Sequence, residues 1–159
     1  MSRSANADRG RLAEEFACDR WGLEHLAPDA SAPDWLDTRV RDNIVTDLGF
    51  IVVSRGTPVD VKSCWDVYDG RAGRIKIKKS NHDTLLEEDG EYVISVLDRE
   101  ASDVEDESIC VLRAALTSAK TVDAMVDTWW PCGRSQRDDG PFVQLPWTRF
   151  FDDLRGDDS

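Results

Sequence analysis

Apolar positions recur at two different periods along this chain, and the changes of period divide it into elements. Between residues 9 and 24, Leu12, Ala13, Phe16, Ala17, Arg20 and Leu23 return every three or four positions as one stripe. That spacing predicts an amphipathic helix finishing near Gly22. From Ala27 to Asn43, Pro28, Asp29, Ser31, Pro33 and Asp34 predict an irregular connection with one short helical turn around Trp35. Gly49 to Ser54 is continuously apolar at its centre, whereas Val59 to Cys64 alternates. The two runs predict antiparallel strands joined by the turn Arg55-Gly56-Thr57-Pro58, the first of them central. Further strands are predicted at Arg74 to Lys78, Tyr92 to Leu97 and Ile109 to Leu112, with a short helix at Asn81 to Leu86 and an acidic loop from Asp98 to Ser108. A last helix starts at Thr121, carries Val122, Met125, Val126 and Trp129 on one face, and is stopped by Pro131.

With 159 residues, the chain is expected to form one domain over residues 1–151, followed by an acidic tail over 152–159. No apolar run reaches the roughly 18 residues that span a bilayer, and Met1 to Asp8 is polar, so a cytoplasmic protein without a membrane segment is expected. The four cysteines (Cys18, Cys64, Cys110, Cys132) contain no C-x-x-C pair. They are read as small core residues, not as a zinc site or a disulfide framework. Charge changes the picture more: 32 acidic residues against 20 basic give a net charge of −12, and only 5 of the basic residues are Lys. Such a surface stays hydrated in concentrated salt, which points to a halophilic source.

Candidate chemistry lies in the alternating run. Val59 and Val61 face one way and Asp60 and Lys62 the other, so a carboxylate and an ammonium leave the same face of one strand. Asp47 precedes Asp60 by 13 residues (60 minus 47) and leads into the partner strand. Two or three carboxylates that hold Mg²⁺, with a lysine to orient water and stabilise developing charge, are the minimum kit for phosphodiester hydrolysis. Asp34, Asp37 and Asp42 are alternative sources of the first acid.

The run from Asp47 through Gly56, Asp60 and Lys62 resembles the metal-binding hairpin of the PD-(D/E)XK nucleases, with a separation similar to that of archaeal Holliday-junction resolvases. Gly10-Arg-Leu-Ala-Glu14-Glu15-Phe-Ala17 is similar to the Gly-x-x-x-Glu-x-x-Ala helix that brings a further acid to the metal in that superfamily, which selects Glu14 over Glu15. The likeness covers roughly residues 9 to 97. It departs in having Asp where Glu is more frequent at position 60, and a literal Pro33-Asp34 lies 26 residues before Asp60 (60 minus 34). What it implies is an α/β, restriction-endonuclease-like three-layer core with a mixed central sheet flanked by helices. It further implies a Mg²⁺- or Mn²⁺-dependent deoxyribonuclease, an endonuclease, with Glu14, Asp47 and Asp60 as metal ligands and Lys62 beside them. DNA is the implied partner, a homodimer is compatible with it, and no organic cofactor is called for. With the composition, the likeness points to a halophilic archaeon or its virus as the source.

Four of the five lysines (Lys62, Lys76, Lys78, Lys79) fall within eighteen residues, joined by Arg71 and Arg74. In Arg74-Ile75-Lys76-Ile77-Lys78 the isoleucines face one side and the lysines the other. These residues and the following His82 are candidate phosphate contacts, with Trp65 and Tyr68 as candidate stacking surfaces. Two rivals compete with the nuclease: a silent nucleic-acid-binding or protein-interaction module on the same fold, and an acidic adaptor whose lysines are capped by its own carboxylates.

Overall fold

A strand with two neighbours must place both its backbone edges, and the strand of Asp60 determines how this sheet is built. The computed structural model describes residues 2–25, 36, 38–41, 43–45, 52–130 and 140–151. In chain order these form α1 (Ser2–Trp21), β1 (Leu23–His25), β2 (Thr38–Val40), β3 (Ile44–Val45), β4 (Val52–Val53), β5 (Pro58–Trp65), β6 (Val67–Tyr68), β7 (Arg71–Ala72) and β8 (Arg74–Lys78). There follow α2 (Lys79–Glu87), β9 (Glu91–Leu97), a 3₁₀ turn (Val104–Asp106), β10 (Val111–Ser118), α3 (Ala119–Met125), β11 (Phe142–Pro146) and α4 (Trp147–Phe150). The main sheet has five strands in the order β1-β2-β5-β9-β10. Only β5 and β9 run parallel, so the sheet is mixed.

The alternation of β5 is what makes three layers. Val59 joins Val93, Val40, Leu23 and Ala17 in one buried cluster, which places α1 on that face. Cys64, Tyr92, Ile94 and Val96 form the other face and are covered by Ile75 and Ile77 of β8, Leu85 of α2, Val122 of α3 and Val143 and Leu145 of β11. The fold is therefore α/β, a mixed five-stranded sheet flanked by helices, as expected. Among the described residues no helix is long and apolar enough to cross a membrane.

The hairpin expected across residues 49–64 does not form among the described residues. Val52–Val53 pairs with Ile44–Val45 in a separate two-stranded sheet. One edge of β5 is taken by β2, with Thr38 opposite Val59, and the other by the whole length of β9. The turn itself exists, with Gly56 at φ +89°, but it is fastened to β2: Gly56 N–H donates to the Val40 carbonyl at 2.8 Å and Val40 N–H to the Thr57 carbonyl at 2.9 Å. The start of β5, where the expected partner would have to pair, is thus flanked by β2 on one edge and β9 on the other.

Other differences are local. Helix α1 begins at Ser2, earlier than its apolar stripe, because periodicity reports only the turns that touch the core. The strand expected at 109–112 runs instead over Val111–Ser118. The last predicted helix spans Ala119–Met125, with the Ser118 hydroxyl accepting from Thr121 N–H, and stops before Val126 and Trp129. Elements not expected from the sequence are the short strands β1, β2 and β3 in the first third of the chain, β11, the single turn α4, and the hairpin β6–β7, whose Asp69-Gly70 turn has both residues at positive φ (55° and 75°). An Asp-Gly pair between short apolar-aromatic runs is a strong signal for this turn.

Candidate active site

Asp60 and Lys62 leave β5 on the face away from α1, as their spacing requires. Asp60 is only 7% exposed, and Lys62 Nζ lies 3.4 Å from its Oδ2. An isolated carboxylate at that depth would be costly, and the neighbouring ammonium is one group that keeps its charge tolerable. On the adjacent strand Tyr92 is paired with Asp60 and Ile94 with Lys62, so the pair sits against an apolar wall. Burial pushes the Tyr92 phenol above its usual range, and the charge of Asp60 pushes it further.

Behind that wall lies a buried polar chain. Tyr92 Oη is 2.7 Å from His82 Nδ1, and His82 Nε2 is 3.0 Å from Asp123 Oδ1. The His82 ring is fully buried and stacked on Tyr92 with centroids 5.8 Å apart. Both ring nitrogens serve protein partners, tying α2 to β9 and α3, and no ring atom reaches the surface. His82 is therefore an internal linking residue and not the phosphate contact expected from the sequence.

Glu14 stands on α1, which packs against the Val59 face of the sheet, opposite to Asp60. Its Oε1 is 2.8 Å from His25 Nδ1. Cys18 Sγ approaches the other ring nitrogen of His25 at 3.9 Å, and burial, followed by the charge of Glu14, pushes its thiol up to about 11. Such a thiol is inert at neutral pH. Glu15 is exposed and paired with Arg11 at 3.1 Å.

Asp47, and the alternatives Asp34, Asp37 and Asp42, lie outside the described residues. Among the described residues, no three Asp, Glu, His or Cys side chains are placed to hold one metal ion. The donor chemistry at Asp60 nevertheless suits Mg²⁺ or Mn²⁺, which bind through one or two carboxylates and keep the remaining positions for water and phosphate oxygens.

The basic strip separates into two groups. Lys79 is paired with Asp83 at 2.8 Å and lies over Trp129, and Lys78 is half-buried. Arg71, Arg74 and Lys76 are exposed and line one common cavity. Lys76 also lies over the Phe142 ring at 4.9 Å.

A family profile described as the PD-(D/E)XK nuclease superfamily domain matches residues 1–152. Comparison with characterised proteins and with solved structures gave no match.

Proposed function

Since the chain belongs to the PD-(D/E)XK nuclease superfamily, we propose that it hydrolyses phosphodiester bonds in DNA, as a Mg²⁺- or Mn²⁺-dependent endonuclease. The observation that carries the reading is the Asp60–Lys62 pair, a buried carboxylate and an ammonium 3.4 Å apart on one face of an interior strand.

In this reading Asp60 holds the cation together with a second acid. Bound Mg²⁺ or Mn²⁺ would supply Lewis acidity at the phosphoryl oxygens. Lys62 orients the attacking water and stabilises the charge that develops on the phosphorus oxygens. The apolar wall of Ile94 restricts water around the pair, which strengthens both effects. Asp47 stands as the second acid from the likeness of its spacing. Asp37 is the stronger alternative, because it adjoins Thr38, whose strand partner Val59 adjoins Asp60. Glu14, the further acid that the likeness offers from α1, is the weakest candidate ligand, since it stands on the opposite face of the sheet from Asp60 and is paired with His25.

The test is cleavage of labelled DNA with Mg²⁺ or Mn²⁺ at low and high salt, comparing wild type with Asp37→Asn, Asp47→Asn and Glu14→Gln. Metal-dependent cleavage abolished by one of the two Asp changes supports the nuclease and identifies the second acid. DNA binding without cleavage under every condition would support the silent module instead.

A further inference from the structure

The cavity lined by Arg71, Arg74 and Lys76 has a volume of about 570 Å³, within the range of sites that take small ligands. It lies where the far end of β5 (Cys64, Trp65) meets the β6–β7 hairpin and β8, and α1 contributes Arg9 to it. Four of the chain's 20 basic residues line it, against one of its 32 acidic residues, Asp69. In a protein of net charge −12 this is a local reversal of sign.

The cations here also differ from the lysines elsewhere that are held by carboxylates. Lys62, Lys79 and Lys120 each lie within 4 Å of a carboxylate. Among the described residues, Arg9, Arg71, Arg74 and Lys76 have no such partner. Arg9 is the most enclosed of the four: its guanidinium lies over the Trp65 ring at 5.5 Å, and its Nε is buried without a hydrogen-bond partner. Desolvation by burial lowers its pKa from the ordinary arginine value. A half-buried guanidinium with an unused donor is stabilised by an anion brought to it.

Two aromatic residues accompany the charge. Trp65 forms part of the cavity wall, and Tyr68, 61% exposed, stands at its rim with Arg99 over its ring. A bare inorganic anion would leave these rings unused, whereas a nucleotide offers a phosphate for the guanidinium groups and a base for the ring. Base stacking needs a base outside the double helix. We propose that this cavity holds one unpaired nucleotide of a nucleic-acid strand, its phosphate against Arg9, Arg71 and Arg74 and its base on Tyr68. Cys64 lies four positions beyond Asp60, about 13 Å at a strand rise of ~3.3 Å per residue, so the cavity is a second anchoring point and not the place of cleavage. The choice of nucleic acid as ligand rests on the nuclease reading; the existence of the anion site does not.

The experiment is fluorescence anisotropy of a short labelled single strand, and of the same sequence as duplex, in EDTA at physiological salt. Wild type is expected to bind the single strand about ten-fold tighter than the duplex. Arg71→Glu, Arg74→Glu and Tyr68→Ala, all at exposed positions, are each expected to weaken single-strand binding about ten-fold while melting like wild type. Unchanged affinity in the two charge reversals, an unaffected Tyr68→Ala, or equal affinity for duplex would overturn the proposal. Binding read in EDTA does not depend on cleavage, so an inactive protein that still binds the single strand supports the cavity and fails only the nuclease reading.

Discussion

The Thr38 hydroxyl donates to the Val59 carbonyl oxygen at 2.6 Å, and both residues are buried. This bond fastens the three-residue strand β2 to the strand of Asp60 one position before the carboxylate. Thr38→Val keeps the shape and removes the donor. A loss of about 1 kcal/mol is expected in denaturant unfolding, the usual net worth of one buried hydrogen bond. A variant as stable as wild type would show that β2 is held by its backbone bonds alone.

Among the described glycines, Gly73 permits the closest approach. A Cβ there would lie 1.9 Å from the Trp65 carbonyl oxygen, and the Gly73 carbonyl accepts from Trp147 N–H at 3.0 Å. Backbone cannot yield as a side-chain tip can, so Gly73→Ala must push β7 and β8 away from the end of β5. A destabilisation of about 2–3 kcal/mol is expected from such overpacking, together with weaker single-strand binding, since Arg71 and Arg74 flank the displaced residue. A variant with wild-type stability would contradict the packing described.

Glu91, beside Val59 at the start of β9, is pushed up to about 7, by burial first and the charge of Asp89 second. In the unfolded chain it titrates near 4.5. Between those values the folded protein holds more protons than the unfolded one, so stability is full below about 4.5 and falls as pH rises through about 7. Glu91→Gln removes this dependence and should gain on the order of 1–2 kcal/mol over wild type at pH 8, after allowance for solvent screening. Denaturant midpoints of the two proteins at acid and alkaline pH provide the check. Curves that stay parallel across the range would contradict it.

The same strands show how much of the fold is legible in the sequence alone. Arg74–Lys78 was legible to the residue and Glu91–Leu97 to within one, because alternation and unbroken burial are local patterns. The common face of Asp60 and Lys62 followed from the pleat alone. Strand pairing was not legible. Val52–Val53 is as apolar as any neighbour of β5 should be, yet Thr38–Val40, hidden beside a Pro- and Asp-rich stretch, takes that edge. Which strand wins an edge is decided by contacts between distant residues, such as the turn at Gly56 bonding back to Val40. For the same reason nothing in the local sequence announced that Glu14 would meet His25, or that Arg9 would reach the cavity at the end of β5.

Whether Asp60 and Lys62 perform phosphodiester chemistry is measured most directly by single-turnover cleavage of labelled DNA in Mg²⁺ or Mn²⁺. Wild type should cut only with metal, and Asp60→Asn and Lys62→Ala should each lose about 10²–10³-fold in rate, the scale of removing one group that stabilises transition-state charge. Equal rates in all three proteins, or cleavage by wild type that persists in EDTA, would contradict the assignment.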